Sequence, residues 1–227
     1  MRKDLTEVVF ILDRSGSMSG LESDTIGGYN SMLEKQKKEK GEAIFSTVLF
    51  DDYCTVLHDR EAISEVNPIS ENEYFVRGCT ALLDAVGGAI HHISKVQKKM
   101  PEEDRPEKTL FIITTDGMEN SSKKYTYKKV KKMVEKKKAD KGWEFIFLGA
   151  NIDAIDVAGR FGVAANRAVR YECDSAGTEL NFDVMSKMVS SARLCGSAAM
   201  MTEMLDDDEV LAPIREDYDN RHDGETV

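Results

Sequence analysis

A chain of 227 residues with 41% hydrophobic content is long enough to bury one substantial core, and its net charge of −10 argues against nonspecific binding of nucleic acid, whose phosphates it would repel. No apolar stretch approaches the roughly 20 residues that span a bilayer, and no secretory leader precedes the first apolar run. Cys54, Cys79, Cys173 and Cys195 show neither a C-x-x-C pair nor zinc-finger spacing, so we expect a soluble, cytoplasmic protein with reduced thiols.

The continuous apolar run at 8–12 predicts a strand buried on both faces. Residues 21–40 read as a helix, with Ile26, Tyr29 and Leu33 at helical spacing and Gly41 as its stop. Strands over 43–50 and 53–58, joined by a tight turn at Asp51-Asp52, predict a hairpin. A helix over 80–100 carries an apolar stripe of Leu82, Val86, Ala89, Ile93 and Val96 and ends at Pro101. Gly87-Gly88 inside it would suit a close approach of helix to sheet. There follow a strand over 109–115, a lysine-rich helix over 125–141, a strand over 143–149, a helix over 152–161, a strand over 168–172 and a final amphipathic helix over 182–205. From Asp206 the chain turns acidic and reads as a poorly ordered tail.

This alternation predicts an α/β, Rossmann-like fold: a mostly parallel central sheet with one antiparallel edge strand and helices on both faces. The chain divides into an α/β domain over 1–175, a helical extension over 176–205 packed on it, and the acidic tail over 206–227.

Three short segments carry the chemistry. Asp13-Arg14-Ser15-Gly16-Ser17 follows the first strand, Thr80 opens a helix, and Asp116-Gly117 follows the strand over 109–115. In open α/β sheets sites form at the carboxyl ends of strands, so both acids fall on one rim, which Thr80 can also reach. Two carboxylates and three hydroxyls are hard oxygen donors, suited to Mg²⁺ or Mn²⁺ and poorly suited to zinc. By itself the first segment reads equally well as a turn and helix cap; with Thr80 and Asp116 the metal reading prevails. Glu119 reads as a solvated loop charge. His91-His92 lie about 16 Å beyond Thr80 along the helix axis and read as a surface pair, while His58 and His222 have no motif context. In the lysine stretch over 123–141, Tyr127, Val130 and Val134 suggest one buried face and a solvated basic face, with docking of an acidic partner as the lesser reading. The methionines of the last helix read as packing.

These segments resemble the von Willebrand factor A-type (VWA) domain, in the manner of its intracellular bacterial members. Asp13-Arg14-Ser15-Gly16-Ser17 is similar to that family's D-x-S-x-S motif, residues 78–85 around Thr80 to the segment that supplies its threonine, and Thr114-Thr115-Asp116-Gly117 to its strand-terminal aspartate. The resemblance covers roughly residues 5–175 and matches all five positions of the family's metal-ion-dependent adhesion site (MIDAS). It implies that Ser15, Ser17 and Thr80 donate hydroxyl oxygens to Mg²⁺ or Mn²⁺, that Asp13 and Asp116 bind the ion directly or through water, and that a carboxylate from a partner protein completes the octahedron. The residues supply a reason for such behaviour. Two carboxylates neutralise a divalent ion without over-neutralising it, so an entering Asp or Glu is still attracted.

The expected function is a metal-dependent protein-binding module, an adaptor that recruits an acidic side chain of another protein. An alternative at family level is a subunit of a larger complex beside an AAA+ ATPase, or in a stress-response system resembling tellurite resistance. The chain has no Walker A motif of its own. A metal-dependent phosphohydrolase is a weaker reading. The D-x-D-x-T motif of haloacid-dehalogenase-type enzymes needs a second carboxylate where this chain has Ser15, and no general base lies within the three segments, so no enzymatic activity is expected.

Overall fold

The computed structural model describes residues 1–150 and 152–222. Six strands form one sheet: β1 (Arg2–Asp13), β2 (Glu42–Phe50), β3 (Cys54–Ala62), β4 (Pro106–Thr115), β5 (Glu144–Ala150) and β6 (Ala168–Tyr171), in the order β3-β2-β1-β4-β5-β6. Every neighbouring pair is parallel except β2–β3, the expected hairpin, which places the antiparallel strand at an edge.

Side-chain alternation along a strand explains why the central strands read as continuous apolar runs. On β1, Val8, Phe10 and Leu12 face a core shared with α1 (Glu22–Lys38), α5 (Ser175–Leu194), α6 (Ala198–Asp206) and α7 (Ala212–His222). Val9 and Ile11 face the opposite core, built with α2 (Leu82–Lys99), α3 (Tyr127–Lys141) and α4 (Ala154–Phe161). β1 begins earlier than its apolar run, pairing with β2 from Leu5 onward, and Glu7, fully buried within it, is held by Arg60 and by Gln97, whose Nε2 donates to Oε2 at 2.6 Å. Gly87 does allow a close approach, but to the ring of Tyr125 in the segment before α3, where a Cβ would fall 2.3 Å from Cδ1; nothing crowds Gly88.

Two features of the C-terminal third differ from expectation. The final helix is two helices, broken at Cys195-Gly196-Ser197. Lys108, fully buried on β4, donates from Nζ to the carbonyls of Arg193 and Cys195 at 2.7 and 2.6 Å, which ends α5, and Ser197 caps α6 by accepting from Met200 N. The residues expected as a poorly ordered tail form a short turn and then α7, up to His222. There Ile214 is buried and Arg221 pairs with Asp174 at 2.6 Å and with Asp217 at 3.0 Å. Residues 223–227 of that expected tail lie outside the described residues. No helix among the described residues is long and apolar enough to cross a membrane.

Candidate metal centre at the carboxyl rim

β1 and β4 are adjacent, with Leu12 opposite Thr114, so Asp13 and Asp116 leave the sheet side by side. From this point the chain winds one way through α1 to β2 and the other way through α3 to β5, which makes it a topological switch point where a crevice opens. Ser15 and Ser17 follow β1 in a loop with a 3-10 turn at Gly16–Met18. Thr80 ends the long connection from β3 and stands just before α2, which begins at Leu82 and not at Thr80.

The structure brings all five predicted residues together. Ser15 N donates to Asp13 Oδ1 at 2.7 Å, Thr80 Oγ1 to Ser15 Oγ at 3.0 Å, and Ser17 Oγ to Asp116 Oδ1 at 2.5 Å; the two serine hydroxyls lie 3.2 Å apart. Asp13, Ser15, Thr80 and Asp116 are buried, whereas Ser17 is exposed, so the cluster opens to solvent on one side. Thr115 Oγ1 donates to Asp13 Oδ2, and Cys173 Sγ approaches Asp116 Oδ2 at 3.7 Å.

A ring of further residues, none of them among the five, holds this cluster in place. Asp51, read from the sequence as a turn residue, is fully buried and accepts from Arg14 Nε, Arg77 Nε and Tyr53 N, each at 2.8 Å. Its charge is thereby committed to two guanidiniums, and both lie over the ring of Phe75. Tyr74 donates its hydroxyl to Asp13 O at 2.6 Å, tying the long connection to the end of β1. Glu119 is not a free loop charge. Its carboxylate accepts from Leu83 N at 2.8 Å in the first turn of α2, and from Ser121 N and Ser122 N, so its charge serves the positive end of the helix. Asn120 Oδ1 accepts from Thr80 N at 2.9 Å, and Asp84 accepts from Lys123 N, Lys124 N and Tyr125 N. One signal for Asp51 was present in the sequence: like Asp13 and Asp116, it stands directly after an apolar strand. The histidine readings keep their structural character, with His92 Nε2 2.7 Å from the exposed Asp59 and His58 packed against Thr47.

Burial pushes the Asp13 carboxyl up to about 6, against the hydrogen bonds from Ser15 and Thr115, which favour its ionised form. Burial likewise raises Asp116, against hydrogen bonds from Ser17 and Cys173. Two neighbouring buried carboxylates are costly to ionise, a cost that a divalent ion would relieve. The donor set fits such an ion, being all oxygen with only two formal charges. Among the described residues no three His, Cys, Asp or Glu side chains cluster as metal ligands. Gly117 leaves the centre of the cluster open, since a Cβ there would fall 2.8 Å from Thr80 Oγ1 and 2.9 Å from Ser17 Oγ. Gly117→Ala is therefore expected to lower the affinity for Mn²⁺ at least tenfold in a calorimetric titration, with the far-ultraviolet circular dichroism spectrum unchanged.

No family model matches the sequence, and no curated protein does. Solved structures do resemble the fold. Proximal thread matrix protein 1 from the mussel byssus superposes with a TM-score of 0.54 at 15% identity, covering 82% of this chain and 46% of its own length. A further structure of that mussel protein has a zinc-occupied MIDAS motif. The D319A mutant of the PilB minor pilin from Streptococcus sanguinis gives a TM-score of 0.57 at 12% identity, over 82% of this chain and 61% of that one. The von Willebrand factor type A structure from Catenulispora acidiphila gives 0.53 at 14% identity, over 82% and 42%. The chain thus spans about half the length of these structures, and at such identities the likeness speaks for the fold: a mixed, mostly parallel six-stranded sheet with helices on both faces, as in von Willebrand factor type A structures.

Proposed function

We propose that Asp13, Ser15, Ser17, Thr80 and Asp116 hold a divalent cation, Mg²⁺ or Mn²⁺, and that the protein is a cytoplasmic binding module whose ion recruits an Asp or Glu side chain of a partner protein. The observation that carries this reading is the convergence of three hydroxyls and two buried carboxylates around the space left by Gly117, open to solvent beside Ser17. The hydroxyls add donors without charge, and the charge of the nearby buried Asp51 is committed to Arg14 and Arg77. The ion, when bound, supplies a positive centre that attracts an anionic oxygen. The chain's own part is to fix the ligands: Tyr74 holds the end of β1, Asn120 holds Thr80, and Glu119 holds the start of α2. We read the site as binding and not catalytic, because both carboxylates are engaged as ligands in this reading and the remaining groups, serine and threonine hydroxyls, are poor general acids and bases at neutral pH.

The test is calorimetric titration with MgCl2 and MnCl2, together with affinity capture in the presence and absence of EDTA, for wild type and Asp13→Ala. Wild type is expected to bind one ion and to hold a partner that EDTA and the variant both release. Absence of heat with either ion, or the same partner retained by Asp13→Ala, would defeat the reading.

A further inference from the structure

At the opposite end of the sheet lies a second concavity. β4 is ten residues long, which puts Pro106 on the order of 30 Å from Thr115 and the carboxyl rim. Around Pro106 and Trp143, at the starts of β4 and β5, the ends of α2 and α3 enclose a cavity of about 620 Å³. Its lining combines the apolar Pro106 and Trp143 with the cationic Lys95, Lys98, Arg105, Lys137 and Lys141. No Asp or Glu lines it, in a chain with 41 acidic residues against 31 Lys and Arg.

Ordinary structural duties account for part of this charge. Arg105 donates to the carbonyls of Met100 and Lys98 and closes the end of α2. Lys137 lies over the indole of Trp143, 4.8 Å from the ring centroid. Lysines near helix C-termini are also favoured by the helix dipole. That preference is met by any solvent-facing lysine and does not require two helix ends to bring their cations to one hollow that no Asp or Glu lines. The ion-paired lysines among the described residues are Lys35, Lys37, Lys131 and Lys187, all outside the cavity. Burial, with the neighbouring Lys141 and Lys136, depresses the Lys137 ammonium, and Asp140 offsets this only in part, so a bound anion would relieve the crowding.

We propose that this cavity is a binding site for a small phosphorylated molecule carrying at least two phosphoryl groups, of nucleotide size. The volume falls within the range of small-molecule pockets, roughly 300–1,000 Å³. Lysine ammoniums act as point charges for phosphate oxygens, and the apolar lining of Pro106 and Trp143 suits an uncharged body. The concavity favours a compact ligand over a nucleic-acid duplex, whose phosphates would be met as readily by the exposed lysines on the outer surface of α3, such as Lys128 and Lys132. The site is independent of the proposed metal centre.

Titration calorimetry in EDTA, with sodium pyrophosphate and with ATP as probes, tests this. Trp143, the chain's single tryptophan, reports locally by its fluorescence. Wild type is expected to bind one or both probes at micromolar concentration with a saturable change in Trp143 emission. Preference for ATP assigns a nucleotide, and equal binding of pyrophosphate assigns the phosphates alone. Lys95→Ala combined with Lys141→Ala, both at exposed positions, is expected to lose at least tenfold in affinity, while Lys128→Ala combined with Lys132→Ala retains it. No binding of either probe at millimolar concentration, equal loss in both double variants, or binding of duplex DNA or polyglutamate in place of the probes would overturn the proposal.

Discussion

Asp51→Ala is expected to lose about 3–5 kcal/mol of stability in urea denaturation and, with it, the divalent-ion binding of the carboxyl rim. The cause is Arg14. Its guanidinium is buried, with Asp51 as its only carboxylate partner among the described residues. Removing Asp51 leaves that charge in the interior with only Glu73 O and Thr55 Oγ1 as acceptors, at 3.1 and 3.0 Å. Arg14 stands in sequence between Asp13 and Ser15, so any shift that carries it to water also moves two of the proposed ligands. Arg77→Ala is the comparison, because the Arg77 side chain is 49% exposed and solvent can take its place; that variant is expected to lose less than about 1 kcal/mol. An Asp51→Ala protein within 1 kcal/mol of wild type would show that the two neutral acceptors suffice for Arg14.

In EDTA at pH 7, Asp13→Asn is expected to be more stable than wild type, by up to about 3 kcal/mol. Burial raises the Asp13 carboxyl from 3.8 to about 6, so between those values the folded protein holds a proton that the unfolded chain has released. Its stability therefore falls as pH rises through that window and stays low above it, the reverse of a salt-bridged aspartate. The neutral amide escapes this cost. It can accept from Ser15 N as the carboxylate does, and Thr115 Oγ1 can turn its proton to Gly117 O, 3.2 Å away. Below about pH 3.8 the difference between the two proteins should vanish. Mg²⁺ reverses the order at pH 7: at 1,000 times its Kd it adds about 4.1 kcal/mol to wild type and much less to the variant. Thermal melts of both proteins at pH 3.5 and 7, with EDTA and with Mg²⁺, check all four expectations. A variant less stable than wild type in EDTA at pH 7 would mean that hydrogen bonding to the ionised Asp13 outweighs its burial.

The sequence was most legible where the physics is local. Apolar runs at 8–12 and 109–115, each longer than an alternating strand allows, announced central strands buried on both faces, and the hairpin at 43–58 announced the antiparallel edge. The five residues of the candidate centre were legible for the same reason: each sits within a few residues of a strand end or helix start, and the strand alternation alone assigns those ends to one rim. What the sequence could not show depends on partners distant along the chain. Glu119 caps a helix 36 residues upstream at Leu83, Arg14 meets Asp51 across 37 residues, and Lys108 ends α5 across 87 residues at Cys195. The acidic composition after Asp206 looked like a tail because composition does not reveal that Ile214 has a core to enter or that Arg221 has Asp174 to meet. Local pattern by itself determined the elements and the rim they share; only tertiary structure decided which charges are neutralised, since a charge acquires its role from what the fold places beside it.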